Sequence, residues 1–378
     1  MSINNIKKKA NLIYFFLFFF ILLFGVFDFY PVSKLNKLFF VCVIGMVLIL
    51  VGGLRWETGT DWDSYFNFFN NNNSYNDFIS SDFEYLYALL AFSVKQFFNS
   101  YTFLLLIFSL LAVSIKLYGF CKISEYKFIF LTILMYYANQ LGDVSSTRQS
   151  MALSFGVLGI MFVINKKLIP FLITTLIAFY FHSSAIIFLL AIPLIYFRIE
   201  RKQLILLIFI GFCFGLAITL SGSNNFLFSY VMGGDGHFAE RLTTYQEIQE
   251  IGNSSTGSAI DPKVSYILGL IRRCFVLLPA LFFYEKLALN KNFKILLNIY
   301  VVGSLIYLIF TPIIQVLNRM SAYFDVAEFM ILPLFVTIPN QRYLRICVYI
   351  IIVMYTFAKF YSTIMAFWTF YTPYKLCF

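Results

Sequence analysis

Apolar runs of about 17–25 residues recur from one end of this chain to the other, and they limit its fold more than any other feature. Each run is long enough to cross a bilayer as a helix. Inside a membrane the backbone polar groups must bond within the chain, so only helices and closed barrels can span it. The runs are continuously apolar and lack the alternation of barrel strands. We therefore predict an all-α, polytopic integral membrane bundle of about 11–14 transmembrane or re-entrant helices.

The composition of the chain excludes a soluble protein. Of its 378 residues, 61% are hydrophobic and 12% are charged, whereas a soluble domain is about half apolar and about a quarter charged. No stretch between the apolar runs is long enough for a separate soluble domain, so we predict one integral membrane domain over residues 1–378. The net charge of +10 does not indicate nucleic acid, because the basic residues lie in short loops between the runs.

The positions of the apolar runs predict the individual spans. Segment 83–98 is short for a span, and it could cross the membrane, dip into it or lie at its surface. Segment 168–197 is too long for one span and carries His182 at its middle, with basic residues on both sides. It therefore favours two short helices that enter and leave on one side. The other spans lie near residues 12–28, 38–54, 101–121, 127–141, 148–164, 203–220, 264–284, 294–311, 321–339 and 345–366.

Lysine and arginine in the short loops predict the orientation of the chain. The basic loops that follow residue 121 alternate with less basic ones along the chain, so all of them can be cytoplasmic. The opposite, outer face then carries residues 143–148, a long loop at 221–263, residues 312–320 and the tip of the hairpin at His182. The amino-terminal part is less constrained, and we place its acidic loop, at about 55–83, on the outer face as well.

Arginines gather at the ends of the predicted spans, or inside them, on this outer face. Ionisable groups in such places are costly and are functional candidates by default. A planar guanidinium binds phosphate oxygens through two parallel hydrogen bonds, so the set favours a lipid-linked pyrophosphate. Any single arginine at a span end is more often explained by snorkelling or by an ion pair, and Arg272 or Arg273 could pair with a carboxylate such as Asp325 or Glu328. The set consists of Arg55, Arg148, Arg272, Arg273 and Arg319.

Two carboxylates, Asp61 and Asp63, stand beside the first of these arginines in the stretch GGLRWETGTDWDSYFNFF. They match the D-x-D pattern with which nucleotide-sugar glycosyltransferases hold a metal, but the soluble α/β domain of those enzymes is absent. We therefore favour a carboxylate that acts as general base toward a sugar hydroxyl. The aromatic residues around them suit sugar stacking or an interfacial belt.

His182 lies in an apolar segment, where a lone histidine is usually structural. Its predicted place at a hairpin tip on the arginine face favours instead an acid/base role or a hydrogen bond to phosphate. The chain has no HExxH, Walker, GxSxG or dinucleotide-binding motif, so ATP-driven transport and serine hydrolysis lack support.

Three segments of the first half carry a family resemblance. They read LRWETGTDWDSY, STRQSMALSF and YFHSSAIIFLLAIPLI, and they lie in this order within about residues 50–195. In motif and spacing they resemble the EpsG-like group of Wzy-type polysaccharide (O-antigen) polymerases, while the second half resembles that group only in hydropathy and around Arg319. The residues that match the motifs of the group are Arg55, Gly59, Asp61, Tyr65, Arg148, Gln149, Ala152, Phe181, His182, Ser184 and Ala185.

The resemblance implies a multi-pass glycosyltransferase of the bacterial inner membrane whose active site faces the periplasm. It would transfer a glycan from undecaprenyl pyrophosphate to a sugar hydroxyl of another lipid-linked repeat unit. The donor is already activated and arginines can stabilise the leaving pyrophosphate, so we expect no cofactor and no metal. The expected partners are the lipid-linked oligosaccharide, membrane lipid and a chain-length regulator, with no nucleic acid. We predict Asp61 and His182 as catalytic residues, and as substrate-binding residues Arg55, Asp63, Tyr65, Arg148, Gln149, Arg272, Arg273 and Arg319.

Other functions share these features and stay open at this point. An O-antigen ligase or a GT-C-type glycosyltransferase would also take a glycan from a lipid carrier. A flippase for lipid-linked oligosaccharide would share the arginines, but it needs alternating access and internal repeats, which we do not find in the sequence. A non-catalytic scaffold predicts that Asp61 and His182 can be replaced without loss of activity.

Overall fold

The computed structural model describes residues 3–144, 147–221, 262–313 and 317–378, and it confirms the all-α membrane fold. Within these residues, seven helices are long and apolar enough to cross a membrane. Shorter apolar helical segments occur at Leu12–Asp28, Tyr85–Phe98, Leu168–Phe181 and Ser183–Tyr196. Most of the predicted loop at 221–263 lies outside the described residues.

Most helices follow the predicted spans within a few residues, but α1 begins well before residue 12 and two short helices occupy the predicted span at 321–339. From the amino end they are α1 (Ile3–Phe24), α2 (Lys34–Gly53), α3 (Trp62–Asn71), α4 (Tyr75–Ile79), α5 (Tyr85–Phe98), α6 (Tyr101–Ser124), α7 (Ile129–Gln140), α8 (Thr147–Ile164) and α9 (Leu168–Phe181). They continue with α10 (Pro193–Tyr196), α11 (Arg201–Ser221), α12 (Pro262–Phe282), α13 (Tyr284–Leu287), α14 (Phe293–Phe310), α15 (Asn318–Asp325), α16 (Glu328–Phe335), α17 (Arg342–Ala366) and α18 (Trp368–Tyr371). Short 3₁₀ helices cover Gly25–Asp28, Leu141–Asp143 and Ser183–Ala191.

The chain divides into two compact units. Unit one consists of Met1–Leu189 and Pro339–Phe378, and unit two consists of Leu190–Ile338. The single polymerase domain over residues 1–378 stays a prediction, and each unit is described by itself.

Serine side chains explain where several helices of unit one begin. Ser33 accepts the N–H of Asn36 at 3.2 Å before α2, and Ser100 accepts the N–H of Phe103 at 3.4 Å before α6. Before α4, Ser74 and Asp77 form a reciprocal capping box. Such caps satisfy N–H groups that have no partner inside the helix.

The core of unit one is a closely packed group of helices. Helix α6 packs against both α2 and α8, and α8 packs against α9. Gly53 lies so near α6 that a Cβ there would come within 2.8 Å of the Cα of Leu106. Small residues allow helix backbones to approach in this way in membrane proteins. The segment between α2 and α3 and the start of α8, which hold the predicted site residues, thus lie on a rigid support.

The carboxy-terminal segment returns to the loop that follows α2. Strands β1 (Arg55–Trp56) and β2 (Lys375–Leu376) pair antiparallel, with Arg55 opposite Leu376. The N–H of Gly59 donates to the carbonyl of Phe370 at 2.9 Å. This pairing holds the loop with Arg55 and Asp61 in place through residues more than 300 positions away.

The helical segment 168–197 is interrupted at His182, as predicted. Helix α9 ends at Phe181, His182 has extended backbone angles (φ −158°, ψ 117°), and a 3₁₀ helix begins at Ser183. The predicted break is confirmed, and the second arm is mainly 3₁₀ rather than α-helix. The side of the membrane on which this break lies stays a prediction.

In unit two the predicted span at 321–339 is not one continuous helix, since two short helices, α15 and α16, lie there. Between them the N–H of Ala327 donates to the carbonyl of Phe324 at 3.0 Å, and that of Phe329 donates to Val326 at 3.1 Å. This three-residue spacing is that of a 3₁₀ turn, in which side chains three positions apart lie above one another. Asp325 and Glu328, which are three apart, therefore face the same way.

Candidate functional site

Two of the predicted site segments meet at Arg148, at the start of α8. Its Nε donates to the hydroxyl oxygen of Tyr65 at 3.0 Å, and that hydroxyl donates to Oδ2 of Asp61 at 3.3 Å. Tyr65 is buried and Asp61 is half-buried at the amino end of α3. The tyrosine thus joins the arginine and the carboxylate of two distant motifs in one hydrogen-bonded chain.

Aromatic rings surround the guanidinium of Arg148. Its Cζ lies 4.5 Å from the ring centroid of Phe83, 5.3 Å from that of Tyr65 and 6.0 Å from that of Tyr87. Cation–π contacts of this kind are worth about 0.5–2 kcal/mol each, more when they are desolvated. The rings therefore hold the guanidinium at the site while they leave it charged.

Glu84, just before α5, connects Arg148 to the segment of His182. Its Oε2 forms an ion pair with the guanidinium of Arg148, and its Oε1 accepts the backbone N–H of Ser183 at 3.1 Å. The two side chains are 15% and 18% exposed, so the pair is largely shielded from water. Burial alone would raise the pKa of Glu84, but Arg148, His182 and the Ser183 N–H hold that pKa below its usual value. Glu84 is thus an anion that positions its neighbours and a weak candidate for a base.

The ring of His182 is held by Ser184. The hydroxyl of Ser184 lies 2.7 Å from Nδ1 of His182, and the backbone N–H of Ser184 lies 3.3 Å from the same atom. A backbone N–H can only donate, so Nδ1 is an acceptor in this arrangement and the ring proton is on Nε2. This tautomer suits a ring that donates a hydrogen bond through Nε2.

Arg55 is close to the start of α8, but it is buried, with 3% of its surface exposed. Its guanidinium donates to the carbonyl oxygens of Gly52 at 3.1 Å and Asp143 at 3.2 Å, and to Oγ1 of Thr147 at 3.1 Å. The predicted contact of Arg55 with pyrophosphate would require these bonds to be exchanged. The observed contacts are those of a residue that holds the segment just before Arg148.

Unit two contains a buried cluster of four charges. Arg273 donates to both carboxylate oxygens of Asp325, at 3.2 and 2.9 Å, and Nε of Arg272 donates to Glu328 at 2.7 Å. The guanidinium of Arg273 also lies 3.6 Å from the centroid of the Tyr307 ring. The two arginines have as partners the two carboxylates that the sequence suggested. Within this cluster each positive charge is balanced by a negative one.

The other predicted site residues occupy less specific positions. Asp63 is exposed in the first turn of α3, and Gln149 is half-buried one residue after Arg148. Arg319 is half-buried in the first turn of α15 in unit two. The structure therefore brings Asp61, Tyr65, Arg148 and, through Glu84, the segment of His182 together in unit one.

Sequence reasoning missed two ionisable residues, Glu84 and Lys116. Glu84 precedes an apolar helix, where a carboxylate is as easily a surface residue as a site residue. Lys116 lies inside the apolar run of α6 and is 1% exposed. A lysine within a span is itself a signal, because such residues are rare and functional by default.

The comparisons with known proteins give one match. A family model described as the EpsG family matches residues 37–376, and this range contains every predicted site residue. The match extends well beyond the segment at about 50–195 that carried the resemblance in the sequence. No curated protein and no solved structure matches the chain.

Proposed function

This chain belongs to the EpsG family, which is of the membrane glycan polymerase type, and on that basis we propose that it polymerises lipid-linked repeat units. It would be a metal-independent glycosyltransferase of the bacterial inner membrane. The reaction would transfer the growing glycan from undecaprenyl pyrophosphate to a sugar hydroxyl of another lipid-linked unit, on the periplasmic face.

The observation that carries the proposal is the convergence of Asp61, Arg148 and His182 in unit one through Tyr65 and Glu84. Each of these three residues comes from a different motif of the family resemblance. Transfer from a pyrophosphate needs a fixed positive charge for the leaving group and a base for the acceptor hydroxyl. A guanidinium and a half-buried carboxylate, joined by one tyrosine hydroxyl, supply both.

We assign Arg148 to the pyrophosphate and Asp61 to the acceptor hydroxyl. The side chain of Arg148 is 18% exposed, so part of it is open to a ligand. The Nε2–H of His182 would donate a hydrogen bond to a phosphate oxygen. Arg272, Arg273 and Arg319 stay predicted substrate contacts, and the first two would have to exchange a carboxylate partner for phosphate.

A polymerisation assay tests the function. The purified protein is mixed with lipid-linked repeat units extracted from a strain of the source organism that lacks this gene. A ladder of products that differ by one repeat unit is the expected result. Transfer of a single glycan without a ladder would indicate a ligase, and movement of the lipid across vesicles without transfer would indicate a flippase.

Labelling of single cysteines tests the orientation. Cysteines at Asn73 and Ser183, both exposed, should react with an impermeant maleimide from the periplasm in a variant without native cysteines. Cysteines at Asn165 and Asn290 should react only after the membrane is permeabilised. Protection of Asn73 from periplasmic label would contradict an outward-facing Asp61.

A further inference from the structure

A strained turn precedes the helix that carries Arg148. Leu141, Gly142 and Asp143 all have left-handed backbone angles, with φ of 49°, 65° and 69°. Such angles cost about 1–3 kcal/mol for a residue other than glycine, and they persist only where the surroundings hold them. At Gly142 a Cβ would also come within 3.1 Å of the side chain of Leu48.

Lys116 holds the turn from α6. Its Nζ donates to Oδ1 of Asp143 at 2.5 Å, to the carbonyl of Ser150 at 3.0 Å and to the hydroxyl of Ser150 at 3.0 Å. All three ammonium protons are therefore used. The hydroxyl of Tyr136 donates to the other carboxylate oxygen of Asp143 at 2.5 Å. A buried ion pair with this many partners fixes a geometry even where its net contribution to stability is small.

Arg55 holds the same segment through other atoms. It donates to the carbonyl of Asp143 and to Oγ1 of Thr147, whereas Lys116 binds the carboxylate of Asp143 and Ser150. Arg148 lies between Thr147 and Ser150 in the sequence. The two buried cations thus bind the chain both before and after the guanidinium of the proposed site.

A small polar cavity lies beside these contacts. It is lined by Arg55, Asp143, Thr147 and Ser150 together with residues of α6, and its volume is about 10 Å³. That volume is about the lower limit for one water molecule. The Nε of Arg55 is buried without a partner in the described residues.

We propose that Lys116 and Arg55 are positioning residues, which set the first turn of α8 so that Arg148 meets Tyr65 and the pyrophosphate. The proposal rests on the proposed function of Arg148. Neither cation needs to touch the substrate, because each acts through the turn at Leu141–Asp143 and the residues that flank Arg148.

The test removes both charges of the buried pair together. Lys116→Met/Asp143→Asn leaves no unpaired buried charge, so the protein should insert and keep its thermal stability, whereas Lys116→Met alone leaves Asp143 unpaired. A misplacement of Arg148 by about 1 Å should lower kcat/KM of polymerisation by about 10–100-fold. The affinity for undecaprenyl pyrophosphate, measured from the tryptophan fluorescence of the protein, should fall with it. Ser154→Ala is the matched control, since it removes a buried bond between α8 and α6 one turn further from Arg148.

A cycle with Arg148→Lys separates this proposal from the proposed function. If Lys116 acts through Arg148, the triple variant Lys116→Met/Asp143→Asn/Arg148→Lys should have a kcat/KM no lower than that of Arg148→Lys alone. A normal Arg148→Lys enzyme would overturn the assignment of Arg148 itself. The positioning role would be overturned if Arg148→Lys is impaired while the Lys116→Met/Asp143→Asn enzyme is stable and fully active. It would also be overturned if the losses of kcat/KM in these two variants multiply in the triple variant.

Discussion

Replacement of Arg148 by lysine is the sharpest test of the site. The guanidinium uses two different nitrogens, Nε toward the hydroxyl of Tyr65 at 3.0 Å and the NH1 nitrogen toward the carboxylate of Glu84. A lysine keeps the charge, but its single nitrogen cannot occupy both positions at once. At least one hydrogen bond that involves a charged group is lost, either within the protein or to the pyrophosphate.

The expected size of the effect follows from that loss. A hydrogen bond to a charged group contributes about 1.5–3 kcal/mol. If the bond is made in the transition state, its loss lowers kcat/KM by about 10–150-fold. The fold should be little affected, because a positive charge near Glu84 and the ring of Phe83 is retained.

The assay is the rate of ladder formation at several concentrations of the extracted repeat units, with the protein level measured in the same membranes. Arg198→Lys is the matched control, since Arg198 lies outside the proposed site and its guanidinium donates to the backbone carbonyl of Leu194. An Arg148→Lys enzyme within about twofold of the wild type would refute the argument that two nitrogens of the guanidinium are needed.

Three further predictions concern the residues around Arg148. Asp61→Asn should lower kcat by about 10²–10⁴-fold, as the loss of a general base does. Polymerisation by the wild type should persist in the presence of a chelator. Inhibition by the chelator that a divalent ion reverses would instead support metal binding at Asp61 and Asp63. His182→Gln should keep more activity than His182→Ala, because glutamine can donate the hydrogen bond that we assign to Nε2. Complete loss of activity in both variants, when both are correctly inserted, would favour proton transfer by the histidine. Since the pKa of Glu84 is lowered in the folded protein, its contribution to stability is present above its ordinary pKa of about 4.3 and is lost as the pH falls below it. The apparent Tm of the wild type in detergent should therefore fall more steeply than that of Glu84→Gln over this acid range, and parallel curves would show that the ion pair contributes nothing.

The positions of the helices could be predicted from the sequence because they depend on local information. An α-helix satisfies its backbone within a few residues, and hydropathy along the chain marks which helices can lie in lipid. The break at His182 was visible for the same reason, since a 30-residue apolar segment with basic residues at both ends does not fit one span. The split between Asp325 and Glu328 was not, because neither Val326 nor Ala327 is a helix-breaking residue.

The family and the residue types of the site were also readable from the sequence, because the motifs around Asp61, Arg148 and His182 are short and contiguous. The roles of the arginines were not. Arg55 and Arg148 looked alike as residues at the ends of spans, yet one is buried against backbone carbonyls and the other meets a tyrosine and a carboxylate. The difference comes from their neighbours in space.

Only the tertiary structure could show which residues connect the motifs. Glu84 joins Arg148 to Ser183, Lys116 joins α6 to Asp143, and Leu376 pairs with Arg55 across almost the whole chain. These contacts link positions from about 27 to more than 300 residues apart, and no local periodicity records them. The sequence by itself therefore determined that the chain is a helical membrane protein of this family, and the packing of its helices decided which charges act on one another.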